Sequence, residues 1–275
     1  MYPVERFFTT TTPLPSIPGV VQSLICSLSD EDVELGVLIK QIARDPSLSA
    51  RVLRLANSSH YGVSRKIGAI DDAVTLIGLN ALRTLVIASG ITAAFKTVPG
   101  VDLDHFWRHA TLSAQIARKL GRSMQCNAEF AYTAALMHRI GQLLISLAYP
   151  STAREIAEEN RDLSVNELAA IEREHLGFDH CELGAEMARR WQFPAVIHNA
   201  MRWYGRPLAA EACPYAGIVH LAAHIAFGIE AHTYDRDIVA SLNWPLIEHL
   251  VLEQHDWFEE VELARNNEQQ MLAAA

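Results

Sequence analysis

Apolar residues recur at helical spacing along most of the chain. After the Asp45-Pro46 pair, which is typical of a helix start, Leu48 and Val52 share one face of a predicted helix. The most apolar long stretch, 131–148, predicts a buried core helix. No segment shows the sustained alternation of apolar and polar residues that marks a half-buried strand. The pattern therefore predicts an all-α protein with few strands or none.

Breaks in the pattern divide the predicted helices into two lobes. The clearest break is Val98-Pro99-Gly100, because proline followed by glycine interrupts a helix. We therefore predict a two-lobed helical protein with its boundary at this point. The predicted organisation is an irregular segment over 1–12, a helical lobe over 13–99, a second helical lobe over 100–230 and a helical extension over 231–275.

Composition and charge narrow the function classes. Half of the 275 residues are hydrophobic, which excludes wholesale disorder. The 32 acidic residues outnumber the 23 basic ones, and the net charge of −9 argues against a large phosphate-binding surface. Residues 71–89 have helix-turn-helix spacing, but Arg83 is the only cation of the second helix, so a pair of core helices is the better interpretation. We expect no nucleic-acid partner.

Cysteine usage and the absence of targeting signals predict a cytoplasmic protein without a membrane partner. The apolar run 131–148 holds His138, Arg139 and Gln142 at its centre, which a bilayer core would penalise. The N-terminus lacks the pattern of a signal peptide. The cysteines lie far apart and form no Cys-x-x-Cys motif, so we expect free thiols in a reducing compartment: Cys26, Cys126, Cys181 and Cys213.

Histidine is the residue type that points most directly to chemistry. Twelve histidines are present and eleven of them follow residue 100. His109, His138 and His198 lie on different predicted helices, and side chains from facing helices can converge inside a bundle. Such a cluster can ligate metal or transfer protons. The alternative is a set of core and surface histidines that share no geometry.

Several long motifs follow one another in both halves of the chain. In the first half they are Leu14-Pro15-Ser16-Ile17-Pro18, the stretch from Asp45 to Ser58, Tyr61-Gly62 and the stretch from Ala73 to Arg83. In the second half they are Phe106-Trp107-Arg108-His109, the stretch from Ala135 to Gly141, Glu182-Leu183-Gly184-Ala185 and the stretch from Ile218 to Ala222. These motifs resemble those of HDOD domains, the HD-related output domains of bacterial signalling. The resemblance covers roughly residues 13–230 and implies an N-terminal helical bundle followed by an HD-like helical domain.

The resemblance also implies where a pocket would lie and what has changed in it. HD-superfamily phosphohydrolases bind divalent metals through a histidine, an adjacent His-Asp pair, later histidines and a distal aspartate. His109 and His138 match the first two histidines, but Arg139 replaces the aspartate of the pair and Ala223 replaces the distal aspartate. The later segment around His198 keeps no adjacent His-His pair. These five residues form the predicted vestigial pocket, for which we expect no metal, no cofactor and no catalysis.

Two interpretations of Arg139 and one catalytic alternative remain open. Arg139 could pair with an acid such as Glu129 or Glu182, or it could form a cationic phosphate or nucleotide pocket with His109 and His138, although no glycine-rich phosphate loop accompanies it. Because three neutral histidines can hold zinc, a metal-dependent phosphohydrolase is the alternative to a non-catalytic protein.

The favoured hypothesis is a non-catalytic bacterial signal-transduction protein, a stand-alone HDOD module that acts by binding another signalling protein. By analogy with the family alone, the processes in which it would act include motility, biofilm formation or cyclic-dinucleotide signalling. The candidate partner surface is Arg202, Trp203, Tyr204 and Arg206, because tryptophan, tyrosine and arginine dominate interface energetics. The alternative is that Trp203 and Tyr204 cover the edge of the protein's own core.

Overall fold

The computed structural model describes residues 3–10, 14–26, 39–40, 42–57, 66–159 and 164–273. All regular secondary structure in these ranges is α-helical, which confirms the predicted fold class. The motif residues Ser58 and Tyr61-Gly62 lie outside the described residues. No helix within the described ranges is both long and apolar enough to cross a membrane.

Sixteen helices have bounds within the described residues. The first five are α1 (Pro3–Thr10), α2 (Gly19–Cys26), α3 (Pro46–Ala56), α4 (Ile70–Ile77) and α5 (Leu79–Ala94). The next six are α6 (Leu103–Ser123), α7 (Ala128–Met137), α8 (Ile140–Ala148), α9 (Pro150–Glu159), α10 (Val165–Leu176) and α11 (His180–Arg190). The last five are α12 (Ala195–Trp203), α13 (Pro214–Glu230), α14 (Asp235–Ala240), α15 (Trp244–His249) and α16 (Trp257–Ala273).

The chain forms two compact units. The smaller unit comprises Pro15–Lys96, Trp191–Pro194 and Gln270–Ala275, and the larger unit comprises Met1–Leu14, Thr97–Arg190 and Ala195–Gln269. The chain passes from the smaller to the larger unit after Lys96, close to the predicted boundary at Pro99.

Helix α5 is the centre of the smaller unit. Its residues are buried without interruption from Leu82 to Ile91, and it packs against α2, α3 and α4. Arg83 lies within this buried stretch, so α4 and α5 are a core helix pair, as the sequence predicted. Asn57 closes the connection after α3, because its side chain accepts a hydrogen bond from the Ile67 amide at 2.7 Å and donates to the Ile67 carbonyl at 2.9 Å.

The larger unit differs from the sequence expectation at its N-terminus. The segment 1–12 was expected to be irregular, yet α1 is a helix whose Phe7 and Phe8 are buried. Phe7 packs edge-on against Phe178, and the Arg190 guanidinium lies 4.3 Å from the centre of the Phe8 ring. The expectation was wrong because it gave weight to the polar run Thr9 to Thr12 and not to the two phenylalanines before it, whose burial holds α1 on the larger unit.

Most of the predicted C-terminal extension belongs to the larger unit, which includes the chain as far as Gln269. Trp257 and Val261 of α16 are buried. The buried Glu260 carboxylate binds Lys119 of α6 at 3.1 Å and His255 at 3.0 Å, which fixes α16 to the body of the unit. Loss of Lys119 or His255 would leave the buried carboxylate without one of its partners, which is costly in a protein interior.

The apolar run 131–148 is divided into two helices. Helix α7 ends at Met137 and α8 begins at Ile140, so His138 and Arg139 form a turn between them. The Nδ1 atom of His138 lies 2.5 Å from the Ala135 carbonyl oxygen, and the Gln142 amide donates to the Arg139 carbonyl at 2.9 Å. The turn places two polar side chains in the middle of what the sequence predicted as one continuous core helix.

Helices α8 and α11 touch backbone to backbone at two glycines. A Cβ atom at Gly141 would overlap the carbonyl group of His180, and a Cβ atom at Gly184 would lie 3.3 Å from the Gly141 nitrogen. Glycine is required at position 141 because backbone atoms, unlike a flexible side chain, cannot move aside. The contact brings His180, the first residue of α11, beside α8.

We predict that Gly141→Ala lowers the free energy of unfolding by about 3 kcal/mol, the upper range for overpacking of a closely packed interior. Urea denaturation followed by circular dichroism measures this change. Gly19→Ala is the matched control and should change stability by less than about 0.5 kcal/mol, because nothing lies within 4 Å of a Cβ atom at that position. An equal response of the two variants would contradict the close approach of α8 and α11.

Candidate functional site

The two histidines that match the HD motif lie together in the larger unit. His109 is on α6 and His138 is in the turn after α7, and their ring centroids are 5.6 Å apart. Both side chains are buried, with 3% and 1% of the residue exposed. The packing of α6 against α7 produces this pairing, because these two helices share one of the largest interfaces of the unit.

Each imidazole is oriented by a partner at its Nδ1 atom. The Nδ1 of His109 lies 2.7 Å from Glu230 Oε2, and the Nδ1 of His138 faces the Ala135 carbonyl. A carbonyl can only accept, so we assign the proton of neutral His138 to Nδ1. Burial, together with the charge of Arg139, lowers the pKa of His109 to about 3 and the pKa of His138 well below its usual value. Both rings are therefore neutral near pH 7.

Arg139 places a positive charge beside these neutral rings. Its Nε donates to Gln142 Oε1 at 2.9 Å, and its guanidinium carbon lies 5.7 Å from the centre of the Phe106 ring. Burial lowers the pKa of Arg139, and the carboxylates of Glu230 and Glu172 oppose that effect. Arginine remains charged at physiological pH in spite of such a shift.

The acids proposed as partners of Arg139 are engaged elsewhere. Glu129 binds Arg118 at 2.8 Å, and Glu182 lies 3.4 Å from Arg202. Among the described residues neither acid forms an ion pair with Arg139, and the carboxylates that act on its charge are those of Glu230 and Glu172. Arg139 is held by a neutral amide and an aromatic ring instead, because it lies in the turn between α7 and α8.

A second buried network lies next to the histidine pair. His180 is fully buried, and its Nδ1 and backbone amide both contact Glu172 Oε2, at 2.6 Å and 2.7 Å. The Nε2 of His180 lies 2.8 Å from the Tyr204 hydroxyl. Burial lowers the pKa of His180, but the neighbouring Cys181, Tyr204 and Glu172 outweigh it, so the pKa is raised well above its usual value. His180 is thus a buried cation that is paired with Glu172.

Tyr204 joins the two networks, and its predicted position at the surface was wrong. Only 1% of the residue is exposed. Its ring lies perpendicular to His138 with centroids 5.1 Å apart, and its carbonyl oxygen is 2.9 Å from the Nδ1 of His220. The residue is buried because His180 satisfies its hydroxyl group, and burial raises the pKa of that hydroxyl.

The remaining predicted pocket residues lie apart from this core or contribute no polar group to it. His198 is on α12, where burial lowers its pKa and Arg189 and Glu186 are its charged neighbours. Among the described residues, it makes no hydrogen bond or ring contact with His109 or His138. Ala223 is buried on α13, and the carboxylate that α13 supplies comes from Glu230, two turns further along.

The sequence did not indicate the roles of Glu172, Glu230 or Tyr204. Glu172 and Glu230 resemble surface acids in their sequence context, since nothing local marks a carboxylate that pairs with a histidine on another helix. One local signal near this network was available: Asp179 caps α11, which places His180 at the first position of that helix.

The donor set does not fit a divalent metal ion. Within the described ranges, no group of three histidine, cysteine, aspartate or glutamate side chains is arranged to hold one. Both ring nitrogens of His180 are engaged, and the positive charge of Arg139 acts on His109 and His138. A dication about 5 Å from a guanidinium would meet a repulsion on the order of 7 kcal/mol at an effective dielectric constant of about 20. The imidazoles of the site are engaged with the chain's own groups, while Oε1 of Glu230 is buried without a hydrogen-bond partner.

Comparison with known families identifies the class. A family model described as the HDOD domain matches residues 14–207. The match covers more than half of the chain and includes His109, His138 and His180. The chain therefore belongs to the HDOD domain family.

Solved structures with the same fold include relatives with different names. A "Putative phosphohydrolase" from Shewanella amazonensis SB2B is 29% identical, with a TM-score of 0.75 over 96% of this chain and 97% of that one. An HDOD domain protein with unknown function from Geobacter sulfurreducens is 22% identical, with a TM-score of 0.76 over 98% and 94% of the two chains. A "Putative signal transduction protein" from Marinobacter aquaeolei VT8 is 21% identical, with a TM-score of 0.78 over 99% and 63%.

A curated relative is considerably longer than this chain. An uncharacterized protein of Treponema pallidum (strain Nichols) is 25% identical over 195 residues, which is 70% of this chain and 37% of the relative. The chain thus matches little more than a third of the length of that protein.

We predict that Tyr204→Phe lowers the free energy of unfolding by about 1–3 kcal/mol, because it leaves the buried Nε2 of His180 without its hydroxyl partner. Thermal and urea denaturation measure the change. Tyr234→Phe is the matched control, since Tyr234 is 73% exposed and the loss of its hydroxyl group leaves no buried polar atom without a partner. Equal stability of Tyr204→Phe and wild type would contradict the buried hydrogen bond.

We predict that stability falls as the pH is lowered from 7 to 5.5. The folded pKa of His109 is about 3, so in this range the unfolded chain binds a proton that the folded chain does not. His138 acts in the same direction, and each contributes up to about 1.4 kcal/mol per pH unit. His180 has a raised pKa, so its contribution is fully present below pH 6.5 and is lost only as the pH rises through its folded pKa.

Urea denaturation at a series of pH values checks this prediction. His109→Asn should reduce the slope of stability against pH, whereas substitution of the exposed His249 by asparagine should leave the slope unchanged. A stability that is constant from pH 7 to 5.5 in the wild type would contradict the neutral state of the buried histidine pair.

Proposed function

We propose that this chain is a non-catalytic signal-transduction protein, which acts in the cytoplasm by binding another regulatory protein. The observation that carries the proposal is the Arg139 guanidinium beside His109 and His138, at the position of the aspartate in the HD pair. Membership of the HDOD family, the HD-related output domains of bacterial signalling, supports the same conclusion.

The acid–base properties of the histidine pair support the absence of catalysis. A general base works best when its pKa is near the operating pH. An imidazole with a pKa of about 3 is a weak base at pH 7, and His138 is more deeply buried still. Glu230, the nearest carboxylate, is already engaged with His109. None of these groups is therefore suited to activate a water molecule.

Metal analysis and a hydrolysis assay test the proposal together. Tag-free protein is purified by gel filtration, its metal content is measured by elemental mass spectrometry, and bis-p-nitrophenyl phosphate is offered with added Mn²⁺, Fe²⁺ or Zn²⁺. We expect substoichiometric metal and no turnover above buffer. Near-stoichiometric metal together with turnover that His138→Ala abolishes, while the variant keeps its circular dichroism spectrum, would overturn the proposal.

A metal-dependent phosphohydrolase is the second candidate. It is favoured by the 29% identity to the Shewanella protein that carries the name phosphohydrolase, over nearly the full length of both chains. The same assay decides between the two candidates.

A further inference from the structure

Arg202, Trp203 and Arg206 form a compact surface feature at the end of α12, which we call the Arg–Trp patch. The guanidinium carbon of Arg202 lies 5.8 Å from the centre of a Trp203 ring, and that of Arg206 lies 5.1 Å from it. Both arginines are exposed, and Trp203 is half-buried. Stacking on an aromatic face restricts the motion of each guanidinium while leaving its edge free to form hydrogen bonds.

The patch carries positive charge that the protein itself barely neutralises. Arg202 has one acidic neighbour, Glu182, at 3.4 Å, and the Arg202 side chain is 49% exposed. Arg206 makes no ion pair with any other described residue. The whole chain carries a net charge of −9, so the patch is a local exception on an acidic protein.

The backbone beneath the patch is held rigidly. The Arg206 amide donates to the Trp203 carbonyl at 2.8 Å. Tyr204 is anchored in the core by His180, and a Cβ atom at Gly205 would lie 3.1 Å from Val165 of α10. A rigid anchor loses little conformational entropy on binding, which favours affinity.

We propose that the Arg–Trp patch is the docking surface for an acidic segment of a partner protein. Carboxylates of the segment would form paired hydrogen bonds with the guanidinium edges of Arg202 and Arg206, and an apolar side chain would cover Trp203 and the neighbouring Leu208, which is 49% exposed. This proposal rests on the proposed function, since it names the surface through which the protein would bind its regulator.

The charge pattern favours an acidic peptide over a nucleic acid. Nucleic-acid affinity depends on several phosphate contacts along a cationic track. The patch offers two cations, and Glu182 stands beside one of them. Two guanidiniums, 5.8 Å and 5.1 Å from the centre of one indole ring, suit a segment that offers two carboxylates and an apolar side chain.

Fluorescence polarisation with a labelled twelve-residue peptide tests the proposal. The peptide alternates glutamate with leucine, and its matched form carries glutamine in place of glutamate. A twelve-nucleotide oligo-dT tests for nucleic acid. The variants are Arg202→Gln/Arg206→Gln and Trp203→Ala. The control is Tyr234→Ala/Arg236→Gln, which removes an exposed arginine and the aromatic ring that it contacts at a separate place. Arg236 resembles Arg202 in having an acidic neighbour, Asp237 at 3.5 Å.

We expect the acidic peptide to bind the wild type at least tenfold more tightly than the glutamine peptide and the oligo-dT. The double arginine variant and Trp203→Ala should each weaken that binding at least fivefold, and the control should change it by less than twofold. Equal binding of the two peptides, equal loss in the control, or tighter binding of oligo-dT would overturn the proposal.

The outcome is separable from that of the proposed function. If the peptide test fails and the hydrolysis assay shows no turnover, the protein is still non-catalytic and its partner surface lies elsewhere. Turnover in the hydrolysis assay overturns the non-catalytic proposal whatever the peptide does.

Discussion

The close approach of α8 and α11 at Gly141 is the constraint on which the interior of the larger unit depends. Because position 141 has no side chain, the backbone of His180 can lie directly against α8. This contact brings the His180–Glu172 pair next to the turn that carries His138 and Arg139. Without it, Tyr204 could not contact both His138 and His180, and the two polar networks would be separate.

The charges within this interior balance one another. Arg139 and the protonated His180 face the carboxylates of Glu172 and Glu230, while His138 stays neutral. A buried charge is tolerated when an opposite charge and hydrogen bonds accompany it, and a buried polar network stabilises one structure only when its members are satisfied. This explains how a core with several ionisable side chains can remain well packed.

The sequence predicted what local patterns control. The helix start predicted at Asp45-Pro46 is present: α3 begins at Pro46, and the Asp45 carboxylate accepts a hydrogen bond from the Leu48 amide three positions away. The family motifs correctly placed His109 near His138. Contacts between distant residues were not predictable: Glu230 reaches His109 across 121 positions, and nothing in its neighbourhood distinguishes it from a surface acid. Burial of Tyr204 likewise depends on His180, a partner that lies on another helix.

Arg139 has a consequence for how the family can change over time. A sequence with Arg139 and Ala223 stands two substitutions away from the carboxylates of the HD motif. Arg139→Asp alone would remove the group that holds Gln142 and covers Phe106, and it would add a third acid to an interior whose charges are balanced. Ala223→Asp alone would bury an unpaired acid in α13. Either substitution alone would therefore cost stability, because each adds a buried carboxylate without adding a cation to pair with it.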